Sequence, residues 1–212
     1  MRRLLIVGAG SAGMACVEQL LKLARECHIT IFEGFGEKRS AEKNSGSAPM
    51  KLAPAQREWL QKNNVEVRKA ICVDAIDRHA NVVRGCDRSR TTFDILILAA
   101  GVANPKLGRS AGLHVRSGVV VNDFMETSDA HVYALGGGVE HRGQTYTDEA
   151  NIQQQARVLA AHVAELNPAP FHPLTPDLTT FAAISGASAG SAPLSEDQTL
   201  DSVSQPALAG AV

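Results

Sequence analysis

Leu4-Leu5-Ile6-Val7-Gly8-Ala9-Gly10-Ser11-Ala12-Gly13 begins the stretch that decides the fold, and His28-Ile29-Thr30-Ile31-Phe32-Glu33 ends it. The four apolar residues 4–7 suit a strand buried on both faces of a parallel sheet. A G-x-G-x-x-G turn follows at once, and after it apolar Met14, Val17, Leu20, Leu21 and Ala24 recur at helical spacing. Residues 28–32 read as the next strand, which closes on an acid twenty positions past the third glycine. Each part has a physical reason. Gly8 permits a tight turn, Gly10 lets backbone approach a pyrophosphate, and Gly13 lets helix pack closely on strand. The N–H groups and partial positive charge of the helix N-terminus, in the Ser11–Ala12 region, favour phosphate. Glu33 can accept hydrogen bonds from a ribose diol, whereas a 2′-phosphate there would be repelled. Strand, glycine turn, helix, strand and acid in this order predict an adenine dinucleotide site.

The chain has 212 residues, 44% of them apolar, which is a length and composition for one domain with a core. A formal net charge of −1 gives no electrostatic footprint for nucleic acid. No apolar run approaches the roughly 20 residues that span a bilayer. Met1-Arg2-Arg3 leads directly into the first strand without a small-residue cleavage site, so a cytoplasmic protein is expected. Cysteines 16, 27, 72 and 86 lie too far apart for C-x-x-C chemistry or a common iron–sulfur pattern. They are expected to be small hydrophobes in a reducing compartment.

After Glu33 the periodicity stops, and residues 34–50 read as a surface loop rich in Gly, Ser, Lys and Glu. Pro54 opens a helix to about Asn63. Short β-rich runs at 65–67, 71–76 and 81–84 suggest a small antiparallel meander beginning near Val65. Residues 93–98 form another doubly buried strand, closing on Ala99-Ala100-Gly101. Residues 118–122 and 131–135 are further strand candidates, and a helix is expected over 149–166, with Ile152, Ala156, Leu159, Ala160 and Val163 on one face. Beyond residue 166 the composition changes: six of the nine prolines lie there and no Lys or Arg. From about 191 to 212 the chain is expected to be a disordered tail after a domain over 1–190.

Taken together, residues 3–14, 94–101 and 127–136 resemble the two-dinucleotide-binding flavoproteins of the pyridine nucleotide–disulfide reductase type. Among these the likeness is greatest to the flavin-bearing N-terminal part of the large subunit of NAD(P)H-dependent nitrite reductase. The specific pointers are residues 118–129, Val139-Glu140-His141-Arg142-Gly143-Gln144-Thr145-Tyr146, Ser110-Ala111-Gly112-Leu113, and residues 178–190 as a closing strand. The resemblance implies an α/β, Rossmann-like FAD-binding domain with a parallel sheet. It also implies an FAD-dependent oxidoreductase activity in which a reduced nicotinamide passes hydride to the flavin. On that resemblance FAD would be bound by Gly8, Ala9, Gly10, Ser11, Ala12, Gly13, Glu33, Ala100, Gly101, Gly136 and Gly137.

Three departures from the family pattern stand in the sequence. A second nicotinamide-binding domain is inserted in the family between two strands ending in Ala-Thr-Gly-like triplets; here one such triplet, Ala99-Ala100-Gly101, runs straight into Val102-Ala103-Asn104-Pro105. The NAD(P)H domain is therefore expected to be missing, so NAD(P)H would bind only if a partner protein supplied the site. The ring-contacting loop after the second strand is shortened to Gly34-Phe35-Gly36-Glu37-Lys38. Finally, Gly137 stands where the family has an acid for the ribityl hydroxyls.

Two rival classes bound this reading. A short-chain dehydrogenase needs a Lys four residues after its Tyr, but Tyr133 meets Gly137 there and Tyr146 meets Ala150. A non-catalytic nucleotide-binding or partner-binding remnant of the flavoprotein fits all three departures. No catalytic residue is assigned, and the scattered histidines suggest no metal. Glu140-His141-Arg142 reads equally as polar groups at a flavin edge or as a solvated turn. Asp148-Glu149 suits a helix dipole, and Trp59 suits helix packing.

Overall fold

Leu4, Leu5, Ile6 and Val7 are all but fully buried, as a central parallel strand requires. The computed structural model describes residues 1–24, 26–33, 52–69, 73–99 and 105–174. The elements in chain order are β1 (Arg2–Val7), α1 (Ser11–Leu23), β2 (Cys27–Glu33), α2 (Pro54–Lys62), β3 (Glu66–Lys69), β4 (Val73–Asp77) and β5 (Val82–Gly85). Then come β6 (Arg90–Thr92), β7 (Ile95–Leu98), α3 (Pro105–Ser110), β8 (Val119–Val121), β9 (Val132–Ala134), β10 (Val139–His141) and α4 (Glu149–Val163). The compact unit they form spans Met1–Leu174.

The main sheet has five strands in the order β3-β2-β1-β7-β9, and every pairing is parallel. Leu4↔Ile29 and Leu4↔Ile95 fix the register on the two sides of β1. Successive strands step outward from β1 to β3, and the chain then returns to β7 on the other side. That reversal leaves a crevice at the carboxyl ends of β1 and β7, where ligands bind in open α/β sheets. α1 packs against α4. Val17 and Leu20 of α1 and Ala156, Leu159 and Ala160 of α4 are completely buried. A buried Val or Leu contributes roughly 1.5–3 kcal/mol relative to exposure, so this helix pair anchors the sheet beneath the crevice.

The meander is real but begins later than its sequence suggests. β4, β5 and β6 are the antiparallel unit, whereas β3 joins the parallel sheet beside β2 through Thr30↔Glu66 and Glu33↔Lys69. The reason is edge position: Glu-Val-Arg-Lys has no fully buried residue and so carries no core-strand signature. β8 pairs with β10 in a separate two-stranded parallel sheet. Trp59 is 38% exposed and Leu60 is the buried residue of α2, so the tryptophan does not fill the packing role expected of it. Cys16 and Cys27 are free thiols, but exposed Cys86 is disulfide-bonded, contrary to the expectation of four unlinked cysteines. Sequence spacing tests only for local pairs and could not have shown this. No helix among the described residues is long and apolar enough to cross a membrane. The surface loop at 34–50, the closing strand at 178–190 and the tail at 191–212 lie outside the described residues.

Candidate functional site

The glycine turn sits at the carboxyl end of β1, in the crevice. Gly8 has φ +111°, open to glycine at little cost, and its N–H donates to the Phe32 carbonyl at 3.2 Å. Gly10 is the N-cap of α1, with φ −74° and ψ −169°, and its carbonyl accepts the Met14 N–H at 2.9 Å. No side chain caps this helix, so its leading N–H groups are left for a ligand or water. A Cβ on Gly10 would meet no atom within 4 Å, whereas one on Gly13 would stand 2.0 Å from the Gly8 oxygen. Gly10 is thus small towards open space and Gly13 is small towards the chain itself. Ala9 and Ala12 are buried and Ser11 is exposed.

The second turn reaches the same place from β9. Gly136 has φ +90°, and a Cβ there would lie 2.9 Å from the Ala12 Cβ. Its N–H donates to Oε1 of Gln155 at 2.8 Å, a buried contact with a fully buried α4 residue. Nε2 of Gln155 is buried without a partner among the described residues. Gly137 is half-buried beside this turn. Ala99, whose N–H donates to the Val7 carbonyl at 2.9 Å, ends the described part of the third arm. Ala100 and Gly101 lie outside the described residues, as does the shortened loop at 34–38.

Glu33 ends β2, one residue past the Phe32 carbonyl that holds Gly8. It is 3% exposed and already has partners. Its Oε1 accepts the Leu52 N–H at 2.9 Å and a bond from Arg57 Nη2, and its Oε2 accepts Arg57 Nε at 3.1 Å. The Arg57 guanidinium holds this carboxyl below its ordinary range, outweighing the upward push of burial. Sequence reasoning missed Arg57, which lies on α2 and beyond an aperiodic loop, with no spacing rule to link it to Glu33.

Glu140 and His141 do not form a solvated turn. Both sit in β10, 2% and 1% exposed. Glu140 accepts the Ser117 N–H at 2.9 Å and faces Arg116 at 3.4 Å. His141 Nε2 lies 2.8 Å from Asp123 Oδ1, and Arg142 donates to both oxygens of Asp123, at 3.0 and 2.6 Å. Phe171 closes edge-on over the His141 ring at 5.1 Å. Asp148 is the N-cap of α4, its Oδ1 accepting the Asn151 N–H at 2.9 Å, the helix-end role expected of it. Among the described residues no group of three or more His, Cys, Asp or Glu side chains could hold a metal ion.

Comparison with known proteins gives this geometry a context. The family model described as pyridine nucleotide-disulphide oxidoreductase matches residues 2–164. The chain is 28% identical over 169 residues to nitrite reductase [NAD(P)H] of Bacillus subtilis (strain 168), covering 78% of this chain and 20% of that protein. It is 30% identical over 162 residues to the assimilatory nitrate reductase electron transfer subunit of the same strain, covering 74% of this chain and 20% of that one. The chain thus spans about a fifth of the length of these two relatives. Among solved structures, NADH:rubredoxin oxidoreductase from Clostridium acetobutylicum superposes with a TM-score of 0.62 at 15% identity. That match covers 83% of this chain and 78% of the other, a likeness of fold.

Proposed function

The chain belongs to the pyridine nucleotide–disulphide oxidoreductase family, and from that premise we propose that it is a flavoprotein module holding the adenosine-diphosphate half of FAD at the glycine turn. The observation that carries this reading is the contrast between Gly10 and Gly13. Only at Gly10 is the absent side chain matched by empty space in front of an uncapped helix N-terminus. Phosphate oxygens fit there, receiving N–H groups and the positive end of α1. Gly136 and Gly137 would border the same space, with the Gln155 amide steadying the second turn from below. FAD, when bound, supplies a ring that accepts hydride from a reduced nicotinamide and passes electrons onward.

In this reading the chain binds and orients the cofactor, while a redox partner supplies the nicotinamide site. A second reading, a nucleotide-binding or partner-binding remnant without catalysis, is favoured by one observation. Gly137 offers no carboxylate to the ribityl chain, and losing such a charge-assisted bond costs about 1.5–3 kcal/mol. The visible absorption spectrum of the purified protein, before and after adding FAD and desalting, tests the proposal. A protein-associated flavin band after reconstitution is the expected result. No retained flavin, together with no binding of ADP, would sink the proposal and leave only a partner-binding remnant.

A further inference from the structure

We infer that a second anion site lies near the amino end of the main sheet, away from the glycine turn, and that it takes a phosphate group, free or as a small monoester. A cleft of about 210 Å³ opens between the main sheet and β6, and every residue lining it is an arginine, a threonine or a histidine. Arg3 and His28 are the second residues of β1 and β2 and partners in the register of those strands. Arg68 comes from β3, and Arg90, Thr91 and Thr92 make up β6. Arg3 stands five residues before Gly8, about 16 Å along an extended chain, so a pyrophosphate at the glycine turn does not fill this cleft.

The cleft presents donors because its acids stand behind it. Glu66 Oε1 accepts Arg68 Nε at 2.8 Å, and its Oε2 accepts the Thr30 hydroxyl at 3.1 Å. Asp94 accepts the Arg3 N–H, Nε and Nη2 on its two oxygens. Neither carboxylate lines the cleft; each holds an arginine from outside it. The two guanidiniums reach across to β6, where Thr92 Oγ1 accepts Arg3 Nη1 at 2.6 Å and Thr91 Oγ1 accepts Arg68 Nη1 at 2.8 Å. A hydroxyl that accepts such a bond keeps its own hydrogen to donate. Arg68 Nη2 and the Arg90 guanidinium make no hydrogen bond or ion pair among the described residues. Bracing β6 against the main sheet accounts for Arg3 and Arg68, but Arg90 braces nothing. Donors thus meet a ligand from the sheet and from β6 at once. A carboxylate has two oxygens in one plane, whereas phosphate oxygens point in tetrahedral directions and take strong charge-assisted bonds from guanidinium. The volume lies below the roughly 300–1,000 Å³ of pockets for drug-sized ligands, which suits one phosphate group and not a nucleotide.

Backbone amide NMR of the full chain, titrated with inorganic phosphate and with methyl phosphate at constant ionic strength, decides this. The N–H signals of Thr30, Arg68, Thr91 and Thr92 are expected to shift together and to saturate at one dissociation constant. Whichever probe binds more tightly identifies the source, the free anion or a monoester. Arg90→Ala removes an exposed guanidinium without a partner among the described residues, so the fold is kept. It should weaken binding about tenfold, the low end of what a charge-assisted hydrogen bond is worth. His28→Ala, also at an exposed position, should weaken it severalfold. Saturating phosphate should raise the melting temperature of the wild type more than that of Arg90→Ala. Shifts that stay linear in phosphate, or that fall only on Ser11, Ala12 and Gly13 at the start of α1, overturn the inference. So does an Arg90→Ala protein that binds phosphate as the wild type does. The glycine turn reports through its own signals, so none of these results decides the nucleotide reading.

Discussion

The α-carbon of Gly13 is turned towards the carbonyl of Gly8, so that a Cβ there would stand 2.0 Å from that oxygen. Real Cβ atoms do not approach oxygen so closely, and the oxygen belongs to backbone at positive φ that cannot swing aside. Gly13→Ala is therefore expected to push α1 off the end of β1 and to cost about 3 kcal/mol, the upper part of the range for overpacking. Urea denaturation would register it as a lower midpoint at constant slope. A change under about 0.5 kcal/mol would mean that the turn relaxes freely and that Gly13 is not a packing constraint.

Gly10→Val makes the opposite expectation from a position three residues away. Its Cβ meets open space, so stability should stay within about 1 kcal/mol of the wild type, the loss reflecting valine as a poor N-cap. Binding of ADP and of FAD should disappear, because the side chain fills the pyrophosphate's place. A folded Gly10→Val protein that still binds ADP by calorimetry would remove the glycine turn from the site. Comparing the two substitutions separates a glycine needed for folding from one needed for ligand.

Much of this was legible because burial writes itself into short apolar runs. β1, β2, β7 and β9 all read as strands, β1 and β7 as doubly buried ones, and the structure joins them in one parallel sheet. β3 was not legible as a member of that sheet, since an edge strand of Glu-Val-Arg-Lys shows no core face. Glycine conformations were legible too: Gly8 has the positive φ that its place in the motif demands. Pairings across long loops were not. Nothing local to Glu33 announces Arg57, and nothing local to Gly136 announces Gln155, because both contacts depend on how a distant helix docks. Composition also misleads at β10, where Glu140 and His141 look solvated but are buried against Ser117, Arg116 and Asp123.

Acid should weaken the junction between β1 and β7. Asp94 accepts the Arg3 N–H at 2.8 Å and the Arg3 guanidinium at 3.2 and 2.5 Å. Those bonds draw its carboxyl from the usual 3.8 down to about 2. A depressed folded-state value means the contribution is fully present above pH 3.8 and is lost as pH falls towards 2. The pair is partly exposed, its side chains 52% and 39% accessible, so salt screens it and the effect is modest. Thermal melting across this window should fall less steeply for Asp94→Asn than for the wild type. Identical acid slopes for the two proteins would assign the loss to other carboxylates.

Hydride transfer offers a kinetic test of the half-site reading. With the nicotinamide-domain segment missing from the sequence, the chain alone, reconstituted with FAD, should bleach its flavin little or not at all when mixed anaerobically with NADH. Stopped-flow absorbance follows this directly. Rapid bleaching at a rate that saturates with NADH would reveal a nicotinamide site within this chain and end the need for a partner.

The two halves of FAD should be held unequally, and Gly137 is where the inequality can be reversed. Among the described residues the glycines with positive φ are Gly8, Gly112, Gly136 and Gly143, so the backbone at Gly137 lies in a region that side chains adopt. Gly137→Glu would restore a carboxylate beside the ribityl chain. A charge-assisted hydrogen bond of about 2 kcal/mol corresponds to roughly thirtyfold in affinity. FAD should therefore tighten by ten- to thirtyfold while ADP, which does not reach that corner, binds as before. Gly136→Glu is the control: φ +90° and a Cβ 2.9 Å from that of Ala12 make it a strained substitution that disturbs the first turn as well. It should weaken ADP and FAD alike. Tight FAD binding by the unmodified chain, indifferent to Gly137→Glu, would mean that the second turn contacts some other part of the cofactor than the ribityl chain.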